Sequence, residues 1–152
     1  KVVGSWHPEI ASSYFAIGCL LDSGGKYDEA IECLSKSLAI SLDLNGFYSS
    51  EVANTLSKIA NIYYGQAKYQ ESEEYFLQAL KSGIQVYGPD HLTVYGNYLA
   101  LANAYKHQEK YAQAIEYFQN ALNVLIHTKG ENDPDADLYR RVIKELGKKI
   151  NK

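Results

Sequence analysis

Methionine is absent from the 152-residue sequence and residue 1 is lysine, so the chain is expected to be a fragment cut from a longer polypeptide. Cysteine occurs twice, at Cys19 and Cys33. That suits a reducing, cytosolic setting better than a disulfide framework, and both are expected to act as small buried hydrophobes. No stretch approaches the roughly 20 uncharged apolar residues that cross a bilayer, and the N-terminal six residues are too short and too polar for a secretory signal. Membrane insertion is not expected, and the expected location is cytoplasmic. Charge of one sign is lacking as well. The net charge is -3 and no run of lysine or arginine forms a stripe, which gives no argument for nucleic acid as a partner.

Chemistry is also thinly represented. His7, His91, His107 and His127 have no Cys, Asp or Glu near them at metal-ligand spacing. Asp133, Asp135 and Asp137 alternate as in a calcium loop, yet the glycine and the distal glutamate that complete such a loop are missing. Gly24-Gly25 follows no strand, so it is not a phosphate loop, and nothing places Ser, His and Asp on one strained turn. Neither a catalytic residue, a metal nor a cofactor is expected.

What the sequence has is a period. Glycine falls at positions 4, 46, 88 and 130, and Lys-Tyr at 26-27, 68-69 and 110-111, both every 42 residues. A repeat of this length marks a supersecondary unit that stacks on copies of itself. The units run from about 5 to 46, 47 to 88 and 89 to 130, each as two helices. In the first helices Tyr14, Ile17, Gly18 and Leu21, then Leu56, Ile59, Ala60 and Tyr63, then Tyr98, Leu101, Ala102 and Tyr105 fall on one stripe.

A polar elbow follows each time, and a tyrosine opens the second helix. There Ile31, Leu34, Leu38 and Leu42 are matched by Phe76, Leu80 and Ile84, and by Ile115, Phe118, Leu122 and Ile126. Short elbows require the paired helices to lie antiparallel. Gly46, Gly88 and Gly130 suit the left-handed position that ends a helix. Small residues recur where helices must approach closely: Gly18, Ala60 and Ala102 at one position, Ala30, Ser72 and Ala114 at a second, Ser37, Ala79 and Ala121 at a third. The tail opens with Asp133 as N-cap and Pro134 in the first turn. It continues through Leu138, Val142, Leu146 and Ile150 as one apolar stripe, as a terminal capping helix over about 133 to 150 requires; the first helix of a further, degenerate repeat is the alternative.

The pattern of Tyr98, Leu101, Ala102, Tyr105, Ala114, Phe118 and Ala121 resembles the tetratricopeptide repeat, whose usual unit is 34 residues. The longer unit, with His7-Pro8-Glu9-Ile10-Ala11, Gly88-Pro89-Asp90-His91-Leu92 and Lys110-Tyr111-Ala112-Gln113-Ala114 at its landmarks, resembles the repeats of kinesin light chains. The resemblance implies an all-α fold: a right-handed α-α superhelix of three helix pairs plus a C-terminal capping helix.

Opposite the core stripe each first helix leaves a second one, which stacking turns to the concave wall. It comprises Ser12, Phe15, Cys19 and Asp22; Asn54, Ser57, Asn61 and Tyr64; and Gly96, Leu99, Asn103 and Lys106, with Lys58 and Ala100 at the rim. Asn61 and Asn103 share one repeat position. A ladder of amides, each donating and accepting, can hold the backbone of an extended peptide, while Phe15, Tyr64 and Leu99 offer apolar pockets for its side chains. Lys58 and Lys106 make one end of the groove mildly positive, against Asp22 at the other, so an acidic ligand group is expected beside the two lysines.

The resemblance implies that the groove binds short peptide segments, with cargo motifs carrying an aromatic residue among acidic ones in the kinesin light chains. Asn61 and Asn103 match the usual groove asparagine and Cys19 departs from it. Where kinesin light chains usually carry a further asparagine, this chain has Ala16, Lys58 and Ala100. The expected function is a non-catalytic scaffold that binds a protein or peptide partner. Two alternatives stand beside it: an architectural module that self-associates through the ends of the solenoid, and the regulatory or recruiting arm of a larger enzyme or signalling protein.

Overall fold

A computed structural model describes residues 7–152; Gly4, the first glycine of the period, and the opening of the first unit lie outside the described residues. Seven helices follow in order: α1 (Pro8–Ser23), α2 (Tyr27–Asn45), α3 (Ser50–Gly65), α4 (Tyr69–Tyr87), α5 (Leu92–His107), α6 (Tyr111–Lys129) and α7 (Pro134–Ile150). No strand occurs among the described residues. The first helices start at 8, 50, 92 and 134 and the second helices at 27, 69 and 111, so every start obeys the 42-residue period. Each helix packs on the next, which makes an α-solenoid of three helix pairs with α7 laid against α6.

The helix ends explain why the period is written in glycine and in cap residues. Ser49 Oγ accepts from Val52 N, His91 Nδ1 from Thr93 N and Asp133 Oδ1 from Asp135 N, so three first helices have a capped N-terminus at one repeat position. Gly46, Gly88 and Gly130 close the second helices with φ of 75°, 85° and 96°. Their ψ values of 175°, 163° and 167° differ from the expected αL cap. They lie in a region open essentially to glycine alone, so the requirement is stricter than that of an ordinary C-cap.

The elbows carry a second such position, one the glycine pattern hides. Gly25, Ala67 and Glu109 are equivalent, and all have positive φ, of 75°, 59° and 60°. A left-handed backbone costs an L-residue about 1–2 kcal/mol, partly offset for glycine by its larger unfolded-state entropy. Ala67→Gly should therefore stabilise the protein by roughly 0.5–1 kcal/mol. Urea denaturation monitored by circular dichroism measures the difference, and a loss of stability contradicts the account.

Packing within a unit depends on the small residues. Ala30, Ser72 and Ala114 are fully buried, as are Ala60, Ala102, Ala79 and Ala121. A Cβ on Gly18 would stand 2.7 Å from Leu34 Cγ and 3.2 Å from the Ala30 carbonyl oxygen, so the first pair admits no side chain there. Two of the small residues also donate across the pair, Ser37 Oγ to the Ala11 carbonyl at 2.8 Å and Ser72 Oγ to the Ala60 carbonyl at 3.0 Å. The largest core cluster joins the last two units to α7 through Phe76, Val94, Leu101, Phe118 and Leu146.

Four expectations about burial are corrected. Ile17 is exposed, because no helix lies against the outer side of α1 among the described residues, and Leu42 is exposed as well. Cys19 and Cys33 are free and half-buried, not buried. In α7, Leu138 and Ile150 are exposed and the buried face is Ala136, Tyr139, Ile143 and Leu146. A strict spacing of four rotates about 40° per step on a helix, so that stripe leaves the contact face within three steps, whereas three-four-three spacing stays on it.

Candidate functional site

Antiparallel pairing in register gives α1, α3 and α5 a common face that the pair interfaces do not use. Every residue expected there is accessible. Ser12, Asn54, Asn61 and Gly96 are exposed, and Phe15, Cys19, Asp22, Ser57, Lys58, Tyr64, Leu99, Ala100, Asn103 and Lys106 are half-buried.

The two asparagines behave alike. Asn61 Nδ2 donates to the Ser57 carbonyl oxygen at 2.9 Å, and Asn103 Nδ2 donates to the Leu99 carbonyl oxygen at 3.0 Å. Each amide is thereby tethered to its own helix one turn back. One N–H serves the tether, and the Oδ1 acceptor and the second N–H are left for a ligand. Ser57, at the other end of one tether, is itself tied to its helix by Oγ donating to the Ala53 carbonyl at 3.0 Å.

Charge is arranged differently from the sequence expectation. Lys58 Nζ and Asp22 Oδ2 form an ion pair at 2.8 Å between α3 and α1, so the two do not mark opposite ends of the groove. The hydrogen bond to Asp22 raises the Lys58 ammonium above its ordinary value, against a smaller effect of burial. Lys106 lies with its ammonium 6.0 Å above the centre of the Phe118 ring, a loose cation–π arrangement. Lys58 sits one residue after the expected stripe, and that 100° offset aims it at α1.

Tyr64 is engaged as well. Its ring meets Tyr69 at 5.4 Å and His107 at 5.9 Å, edge-on, while Tyr69 and His107 stack at 4.6 Å. Burial and the neighbouring Tyr69 raise the Tyr64 hydroxyl above its ordinary value. Tyr64 is thus part of a fastening between the second and third units and not the wall of an open pocket. Asn54 also has a structural partner, accepting at Oδ1 from the Tyr87 hydroxyl at 3.2 Å.

Sequence reasoning missed a cleft of about 310 Å³ at the α1 end of this face. Ser12, Phe15 and Asn54 line it, and its floor comes from Ser37, Ser41 and Leu44 of α2, with Glu51 and Asn45 at its edge. Asn45 is equivalent to Tyr87. One unit later the larger residue fills the corresponding space, with its ring stacked on His91 at 4.5 Å. The substitution at a shared repeat position was the signal available in the sequence.

A second element not foreseen holds the units in register. Glu73 of α4 accepts from Gln108 Nε2 at 2.9 Å and pairs with Lys110 Nζ at 3.0 Å, clamping the elbow between α5 and α6. Burial works against its charge, but these bonds outweigh it and hold the carboxyl below its ordinary value. One unit earlier Ile31 stands at the position of Glu73, and Gln66, the counterpart of Gln108, has a buried Oε1 with no partner. At the far end the hydroxyls of Tyr95 and Tyr139 meet at 2.9 Å and join α5 to α7.

Family models of the tetratricopeptide repeat match residues 11–43 and 51–123. No curated protein matches the chain in sequence. Among solved structures, BtubC (BKLC) from P. vanneervenii is 23% identical with a TM-score of 0.80, the match covering 93% of this chain and 57% of that one. A Podosopora anserina putative kinesin light chain with nearly identical TPR-like repeats is 18% identical with a TM-score of 0.72, covering 92% and 66%. The first TPR of Spaghetti (RPAP3), solved with the HSP90 peptide SRMEEVD, is 16% identical with a TM-score of 0.66, covering 96% and 97%. The chain therefore spans less than two thirds of the first two structures it matches, and at these identities the likeness is one of fold.

Proposed function

Because the chain belongs to the tetratricopeptide repeat family, we propose that it is a non-catalytic interaction module that holds an extended segment of a partner protein on the common face of α1, α3 and α5. The observation that carries this is the tethered pair Asn61 and Asn103. Two amides at one repeat position, fixed in the same way, present free acceptors and donors in register along a face that packing leaves open. Preorganised polar groups of this kind bind a backbone without losing side-chain freedom on association.

The cleft supports the same reading. Phe15 and Leu44 give it apolar lining and Ser12 and Asn54 polar lining, a combination that suits an aromatic or aliphatic anchor side chain of the partner. With Lys58 committed to Asp22, an acidic group on the partner is left with Lys106 of the two lysines first expected to receive it. The peptide SRMEEVD in the RPAP3 structure, with its acidic residues, shows that a chain of this fold takes such a segment, and it is the nearest chemical analogy for that contact.

Replacing both asparagines, Asn61→Ala with Asn103→Ala, removes two hydrogen-bonding groups worth about 1 kcal/mol each or slightly more. Proteins captured from native lysate by the wild-type chain should be retained roughly 10- to 100-fold less well by the double variant, at unchanged melting temperature. Capture that survives the double change places the partner elsewhere and rules the groove reading out.

A further inference from the structure

At two of three equivalent positions the first helix of the solenoid exposes what the later ones cover. Ile10, Ile17 and Leu20 of α1 occupy the positions of Val52, Ile59 and Ile62 in α3, of Val94, Leu101 and Ala104 in α5 and of Ala136, Ile143 and Leu146 in α7. In α3 these residues are 0%, 0% and 3% exposed, and in α5 all three are fully buried; in α1, Ile10 is half-buried and Ile17 is 47% and Leu20 73% exposed. Each buried set is covered by the second helix of the preceding unit. Leu34, Ile31 and Leu38 of α2 cover α3, and Phe76 and Leu80 of α4 cover α5. A shallow depression lined by Ile10, Ser13, Tyr14 and Ile17 runs along the uncovered α1 face.

We propose that this α1 face is a docking surface for the second helix of a further repeat, continuing the 42-residue period on the N-terminal side. The internal interface is the template: the same positions of a first helix meet a stripe spaced like Ile31, Leu34 and Leu38 at every junction of the solenoid. The glycine that closes α2, α4 and α6 has its sequence counterpart at Gly4, the landmark of such a helix. A second copy stacked head to tail fits poorly. It would set α7 against α1, and the outer side of α7 carries exposed Arg140, Arg141, Lys144 and Lys148. Lys144 stands at the small-residue position of Gly18, Ala60 and Ala102, so the two ends differ: α1 exposes Ile17 and Leu20 with no charged residue between them, whereas the exposed Leu138 and Ile150 of α7 lie among arginines and lysines.

The test extends the full chain with a copy of residues 27–42 placed directly ahead of Lys1, which keeps the copy in the 42-residue register. The extended chain should melt about 5 °C or more above the original. Ile17→Glu with Leu20→Glu should abolish that gain while moving the original chain by no more than about 2 °C, since both residues are exposed there. An extension that brings no gain, or a gain indifferent to the paired change, overturns the proposal. So does a dimer of the original chain, seen by sedimentation velocity at tens of micromolar and abolished by the paired change, because the face then belongs to a second copy.

Discussion

Phe76→Ala is expected to lower the unfolding free energy by about 3–5 kcal/mol, the range for deleting a large aromatic ring from a site that cannot collapse. Phe76 is fully buried and is the largest side chain of the core to be so. It lies in the cluster that joins Ala60 of the second unit to Val94, Leu101 and Phe118 of the third and to Leu146 of α7. In a solenoid each unit touches only its neighbours, so the junction between units sets how cooperatively they unfold. Loss of the ring should therefore do two things. The midpoint of urea unfolding should fall, and the transition should broaden, because the third unit and α7 can then open separately from the first two units. A loss below about 1 kcal/mol would mean that neighbouring side chains close the void, and would refute the account of this junction as rigidly packed.

Glu73→Ala is expected to cost about 2 kcal/mol at neutral pH. The carboxylate receives Gln108 and Lys110 from the next unit, and the side chain is 17% exposed. Its removal leaves a half-buried glutamine amide without its best acceptor. The figure sits below the 3–5 kcal/mol of a fully buried pair, since Lys110 is 40% exposed and can turn to water. The pH dependence has a definite sign. Folding holds this carboxyl below its ordinary 4.5, so its contribution is complete above that value and is lost as pH falls through the lower folded-state value. Wild type and variant should thus differ by about 2 kcal/mol at pH 7 and converge as the pH is taken well below 4.5, read from paired urea titrations. A difference that persists undiminished in acid would assign the effect to packing and not to charge.

These two residues show what could be read from the chain beforehand. Phe76 was recognisable as core, because Leu34 and Phe118 stand 42 residues to either side and periodicity in a solenoid reports burial directly. Glu73 was not, since Ile31 and Ile115 hold its position in the other units and only the juxtaposition of α4 with the next elbow supplies its partners. The same division runs through the candidate face. Asn61 and Asn103 were legible because they repeat. The pairing of Lys58 with Asp22, the engagement of Tyr64 by Tyr69 and His107, and the cleft floored by Ser37, Ser41 and Leu44 were not, since each depends on contacts between units that differ from their copies.

The sequence by itself determined the all-α repeat, the length of its unit, the seven helices and the small residues that let them approach. All of these are local or periodic properties, and periodicity of apolar spacing dictates which face of a helix is buried wherever a neighbour exists on both sides. Tertiary structure alone decided what happens where that condition fails. Whether Ile17 is core or surface depends on a helix lying against α1, and whether Leu138 or Tyr139 faces α6 depends on the rotation of α7 over three turns. A side chain's spacing along its own helix says where it points, and only the arrangement of the next helix says what it meets there.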